Sequence, residues 1–155
     1  MSTSKKNTIS RLDDHLGYWL RFVSNHVSDA FRKRLAEHEV TVAEWVALRS
    51  IHDAPGSSLN ELAALMGMHK GPVSRLVDRL NEQGLAVRTQ NQGDRRGVTI
   101  ALTAAGQRLL PILAKTADEN DAYFFGHLSA AERDYLIDIL RGIVEQRKLN
   151  QKPTK

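Results

Sequence analysis

Two short helix-forming runs meet at Gly67, and that junction limits the folds open to this chain more than any other feature. Ser58 and Glu61 have the spacing of a capping box, in which a serine oxygen accepts a first-turn amide hydrogen and a glutamate reaches back to the cap N–H. A short helix is therefore expected from Ser58 through Leu65. Gly67 supplies the positive φ that a sharp helix-to-helix turn demands, and Ala63, four residues earlier, is small enough for the two helices to cross closely. The next helix carries Val73, Leu76, Val77 and Leu80 on one face. Pro72 falls in its first turn, where the missing N–H costs no intrahelical bond, and Gly84 follows its last turn as a left-handed cap.

After that helix the periodicity changes. Leu85, Val87 and Thr89, then Val98, Ile100 and Leu102, alternate with period two on either side of the polar segment 91–97. That pattern predicts a hairpin whose long tip holds Asp94, Arg95 and Arg96. Helix, turn, helix and hairpin over residues 58–102 make a winged helix-turn-helix, and the winged domain as a whole is expected over 37–102. The fold class is mainly α with a small β-hairpin wing.

The flanks read as helices. Ile9, Leu12, Leu16, Trp19, Leu20, Val23, Val27, Phe31 and Leu35 are spaced by threes and fours, which predicts one long amphipathic helix over 9–36. Its apolar stripe is too long for a small domain to bury, so a partner subunit or the C-terminal helices must cover part of it. Thr41 and Glu44 form another capping box and start a helix through Trp45, Val46, Leu48, Arg49 and Ile51. Thr103 caps a further helix, which Pro111 is expected to bend. Ser129 and Glu132 open a final one, with Leu136, Ile139, Leu140 and Ile143 expected to be buried. The helices of 103–147, with 9–36, are taken as dimerisation elements. Residues 1–8 are expected to be disordered and 148–155 to fray.

Composition narrows the functional classes. Among 155 residues no cysteine occurs, which removes disulfides, thiolate metal sites and thiol-based redox sensing. No apolar run approaches the roughly 20 residues of a membrane span, and no apolar stretch follows the N-terminal lysines as a secretory signal requires. A cytoplasmic protein is expected. Histidines 15, 26, 38, 52, 69 and 127 form no i, i+4 pair of the kind that zinc prefers on a helix. No nucleophile has an adjacent base and no loop cradles phosphates, so neither enzymatic activity nor a cofactor is expected.

Charge is distributed unevenly around a net of +4. Residues 69–96 carry Lys70, Arg75, Arg79, Arg88, Arg95 and Arg96 against Asp78, Glu82 and Asp94, while residues 117–138 are strongly acidic. The first region suits a polyanion and the second repels it. With its apolar face inward, the helix after Gly67 presents His69, Lys70, Ser74, Arg75, Asp78 and Arg79, side chains that donate to base edges and phosphates. An arginine at the hairpin tip fits the narrow, electronegative minor groove. Asp94 beside it is expected to hold the tip in shape by accepting backbone or guanidinium hydrogens.

The stretch SLNELAALMGMHKGPVSRLVDRLNEQGLAVR, followed by GDRRG and IALTAAG, resembles the MarR family of multiple-antibiotic-resistance-type regulators, with the wing Asp-x-Arg pattern standing as Asp94 and Arg96. That resemblance extends in layout to the whole chain. It implies a homodimeric, ligand-responsive transcriptional regulator, most often a repressor, on a double-stranded operator. It places Ser74, Arg75 and Arg79 in the major groove and Arg96 in the minor groove. It also implies an anionic, often aromatic, effector between the dimerisation helices and the reading domain. Candidate pocket residues are His15, Trp19, Trp45, Arg49 and His52, which offer aromatic walls, a cation and polar tips. Two other readings stand beside this one, a winged protein-interaction module and a metal-responsive regulator.

Overall fold

A computed structural model describes residues 9–90, 97–150 and 152–155. These residues form α1 (Leu16–Ala36), α2 (Val42–Asp53), β1 (Ser57–Ser58), α3 (Leu59–Met66), α4 (Lys70–Glu82), β2 (Ala86–Gln90), β3 (Val98–Leu102), α5 (Ala104–Phe125) and α6 (Ala130–Arg147), with one 3-10 turn at Leu12–Asp14. The expected disorder of residues 1–8 and the wing-tip residues Asp94, Arg95 and Arg96 lie outside the described residues.

Local chemistry sets most of the boundaries. The capping boxes at Thr41/Glu44, Ser58/Glu61 and Ser129/Glu132 all close, the hydroxyl accepting from the glutamate N–H and the carboxylate accepting from the cap N–H. Between α3 and α4, Gly67 sits at φ 60°, ψ 33°, the left-handed conformation that lets the chain reverse within a few residues.

The core lies where α2, α3 and α4 meet the sheet. Leu48, Ile51, Leu62, Met66, Val73, Val77 and Leu80 are fully or almost fully buried there, joined by Ile100 of β3 and Leu113 of α5. Leu76 packs half-buried against the same cluster. Strands β2 and β3 pair antiparallel from Ala86↔Leu102 to Gln90↔Val98, as the alternation requires. A third strand joins them: β1 pairs with β3 through Ser57↔Ile100 and Ser58↔Thr99, giving the order β1-β3-β2.

The wing is locked to α5 at one junction. Thr103 donates its backbone N–H to Leu85 O (3.0 Å) and its hydroxyl to Gly84 O (2.6 Å), while its Oγ1 accepts from Gly106 N–H (3.1 Å). Gly106 permits this closeness, because a Cβ there would stand 2.1 Å from Leu85 O. Helix α5 continues through Pro111, which deprives the Gln107 carbonyl of its i+4 donor.

In three places the structure departs from the sequence expectation. The first helix starts at Leu16, not Ile9, because His15 is extended at φ −94°, ψ 121°. Its Nδ1–H donates to Arg11 O (2.9 Å), and Trp19 Nε1–H donates to Asp13 O (2.9 Å), tying the 3-10 turn to the helix start. The apolar spacing runs across the break, so it gives no sign of it. Secondly, Leu136, Ile139, Leu140 and Ile143 are exposed rather than buried, and α6 has no buried residue. Leu16, Trp19, Leu20 and Val23 of α1 are exposed with them, since nothing among the described residues lies over either stripe. Thirdly, the expected frayed end instead returns to the domain, where Lys152 N–H donates to Met66 O at the end of α3 (3.2 Å). No helix among the described residues is long and apolar enough to cross a membrane.

Candidate nucleic-acid interface and grooves

Helix α4 turns three apolar side chains, Val73, Val77 and Leu80, wholly into the core and leaves a polar face outside. His69 at its N-cap, Lys70 and Arg75 are exposed. Three side chains expected on that face, Ser74, Asp78 and Arg79, are already engaged by the scaffold. Arg88 of β2 directs Nη2 to Ser74 O and Ser74 Oγ (3.1 Å each) and to Asp78 Oδ1 (2.7 Å). Arg79 Nη2 approaches Glu44 Oε1 at 2.9 Å.

The Glu44–Arg79 contact bridges α4 to the first turn of α2. Glu44 is completely buried, whereas the Arg79 side chain is 59% exposed. One carboxylate oxygen accepts from the Thr41 N–H (3.0 Å). The other has an ionic neighbour in Arg79 but no well-directed hydrogen bond. A buried carboxylate without such a neighbour would be strongly destabilising, so Arg79 serves the fold whatever else it touches. Arg88 and Glu44 thus hold α4 from the sheet and from α2, fixing the helix that carries Lys70 and Arg75.

Arg88 entered the sequence reading only as one more positive charge, and Glu44 only as a cap. A cap-forming glutamate is normally solvated, and nothing in a one-dimensional pattern links it to an arginine 35 positions away. The two wing arginines and Asp94 lie outside the described residues.

The candidate pocket residues do not converge. Arg49 and His52 share a cavity of about 460 Å³ with Pro55, Ala101, Gln107 and Pro111, and Arg49 Nε lies 3.3 Å from Asp53 Oδ1. Trp19 lines a second space of about 540 Å³ whose walls include Leu20, Phe22, Phe124, Phe125 and Leu136, and which is almost entirely apolar. Trp45 lines a third of about 290 Å³, between α1, α2 and α5. His15 lines none of these three and is tied to Arg11 O and Ser10 Oγ.

The third groove contains a residue that sequence reasoning passed over. Asn120 is 4% exposed, and its Nδ2 donates to Val27 O across to α1 (3.2 Å), while its Oδ1 has no partner among the described residues. The available signal was its register: seven residues beyond buried Leu113, it continues the inner stripe of α5 where an apolar residue is the norm. Among the described residues no group of three or more His, Cys, Asp or Glu is placed to hold a metal ion.

Comparison with known proteins bears on this arrangement. A family model described as "MarR family" matches residues 38–97. The chain is 30% identical over 132 residues, 84% of its length and 80% of the relative's, to a putative transcriptional regulatory protein for the hcr operon of Thauera aromatica. Its structure is similar to that of CouR from Rhodococcus jostii bound to p-coumaroyl-CoA, with TM-score 0.75, 27% identity, and coverage of 94% of this chain and 99% of that one. It is also similar to a mutant MarR from E. coli complexed with operator DNA, with TM-score 0.74, 25% identity, and coverage of 83% and 93%.

Proposed function

The chain belongs to the MarR family of winged helix-turn-helix transcriptional regulators, DNA-binding proteins rather than enzymes, and on that premise we propose that it is a homodimeric, ligand-responsive repressor of a pseudo-palindromic operator. The observation that carries this reading is α4, held from two sides by Glu44 and Arg88 with Lys70 and Arg75 exposed along it. A helix fixed in this way meets a major groove without first ordering itself, which lowers the entropic cost of binding.

In the proposed complex Arg75 reads a base edge, while Lys70 and the outer edge of Arg79 contact phosphates and His69 and Ser74 lie at the groove wall. Arg96 enters the minor groove, with Arg95 on the backbone and Asp94 bracing the tip. The exposed stripes of α1 and α6 face their equivalents in a second chain, which covers Trp19, Leu136 and Ile139 and fills the apolar space between them. Dimerisation sets two copies of α4 about one helical turn of DNA apart, roughly 10 bp.

An effector in the groove between α1, α2 and α5 alters that separation, because the groove lies between the dimerisation helices and the winged domain. The operator complex of the E. coli relative and the acyl-CoA complex of the Rhodococcus relative support the two halves of this reading. Fluorescence anisotropy with labelled DNA from the promoter next to the protein's own gene tests it. Binding is expected to weaken steeply with salt, log K falling against log salt concentration with a slope more negative by about 0.9 for each phosphate neutralised. Absent or salt-insensitive binding would refute the DNA-reading role and leave an interaction module in its place.

A further inference from the structure

Ser50 of α2 and Thr116 of α5 each turn a hydroxyl proton back to the carbonyl four residues earlier, Val46 O (2.8 Å) and Ile112 O (3.0 Å). That is a common resting place for a hydroxyl inside a helix. Ser74 of α4 is placed differently. Its Oγ and its carbonyl oxygen both accept from Arg88 Nη2 at 3.1 Å, and its hydroxyl proton finds no acceptor among the described residues.

The contact with Arg88 removes a freedom that serine normally keeps. A hydroxyl donates one proton and accepts at two lone pairs, and by rotating it suits either kind of partner, so a serine in a major groove reads donors and acceptors alike. A guanidinium has donors only. With Arg88 facing Oγ, a lone pair of Ser74 points at β2 and the O–H points away from it. Arg88 is held in turn by Asp78 Oδ1 (2.7 Å), one turn further along α4, so the guanidinium does not swing freely. Approach to Ser74 from outside is open: at Gly71, one turn earlier, nothing lies within 4 Å of the place where a Cβ would stand.

We infer that Arg88 is a specificity-determining positioning residue: by holding a lone pair of Ser74 it makes that hydroxyl a fixed donor. Such a donor pairs with N7 or O6 of guanine, N7 of adenine or O4 of thymine, and rejects cytosine, whose major-groove edge offers only the N4 donor. A donor facing a donor leaves both unpaired in a closed interface, which is the costly arrangement. Arg88 itself touches no base. The inference rests on the reading that α4 enters the major groove, and adds what one of its side chains selects and which residue outside the helix decides the selection.

Competition anisotropy on the full-length protein tests this, with DNA from the promoter next to its own gene as the labelled probe and duplexes carrying every single-base change in the bound site as competitors. One position in each half-site is expected to disfavour cytosine about tenfold against the other three bases, and Ser74→Ala to remove that penalty. Arg88→Met is expected to bring cytosine within about twofold of the others at that position while leaving the preference read by Arg75 in place. Each result is a ratio between duplexes on one protein preparation, so a smaller folded fraction cancels. A cytosine penalty that survives Arg88→Met overturns the inference. So does loss of preference at every position, which would mean that Arg88 holds the helix as a whole, and so does uniform weakening by Ser74→Ala, which would assign the hydroxyl to a phosphate. If the unsubstituted protein shows no sequence preference, the DNA-reading role falls and this inference with it; if preference exists but none of it moves with Ser74, this inference alone falls.

Discussion

Replacing Arg79 with methionine tests how the reading helix is held. The substitution keeps most of the aliphatic stem and removes the guanidinium 2.9 Å from the buried Glu44 carboxylate. Stranding one member of a fully buried ion pair costs about 3–5 kcal/mol. Here the arginine end is 59% exposed, so water reaches the gap and the expected loss falls to about 2–3 kcal/mol. For a chain of this length that lowers the melting temperature by about 4–12 °C. Glu44→Gln keeps an oxygen for the Thr41 N–H and removes the charge, so the double variant Glu44→Gln/Arg79→Met is expected to return to within about 1 kcal/mol of the parent. Urea denaturation of all four proteins at one fixed protein concentration gives the cycle, with unchanged m-values showing that stability alone has moved. A loss below about 0.5 kcal/mol in Arg79→Met, or a double variant no better than the single, would refute the argument that Arg79 compensates Glu44. DNA affinities of Arg79 variants are interpretable only after this correction.

The two arginines proposed to meet DNA differently should fail differently. Arg75→Ala is expected to relax preference at one base position, with a discrimination loss of about 1–3 kcal/mol, whereas Arg96→Ala should weaken all operator variants about equally; unchanged affinity in the latter rejects the minor-groove assignment. Ile139→Asp on the exposed face of α6 is expected to shift sedimentation from dimer to monomer while leaving the helical circular dichroism of the winged domain intact, and a persistent dimer would move the interface elsewhere. Gly106→Ala places a methyl group 2.1 Å from a backbone oxygen, so a destabilisation of at least about 1–3 kcal/mol is expected by thermal denaturation, and a neutral result would show that the α5 start can slide.

The helix-turn-helix was legible because its signals are local. Ser58 and Glu61 close their own box, Gly67 makes its own turn, and the 3.6-residue stripe of Val73, Val77 and Leu80 needs only an interior to face. Strand β1 was not, since two serines are too few to show alternation and their partners Ile100 and Thr99 lie more than 40 positions away. The same limit explains the pocket residues. Spacing says which face of a helix is apolar, not which neighbour closes over it, so Trp19, Trp45 and the Arg49/His52 pair were grouped by chemistry and separated by topology into three cavities. Burial of Leu136 and Ile139 was expected from their periodicity, which registers an apolar stripe without saying whether its cover comes from the same chain.

The Thr103 junction has a mechanical consequence. With its hydroxyl on Gly84 O, its amide on Leu85 O and Gly106 pressed against the same Leu85 carbonyl, α5 has no slack where it leaves the wing. Its 22 residues make a rod of about 33 Å at 1.5 Å per residue, clamped at the end nearest the last turn of α4. A rotation of about 5° at that clamp sweeps the far end through about 3 Å, and by the same geometry a shift of about 3 Å at the far end returns as about 5° of tilt in the winged domain. A hinge there would let the two ends move independently; a weld makes them one lever.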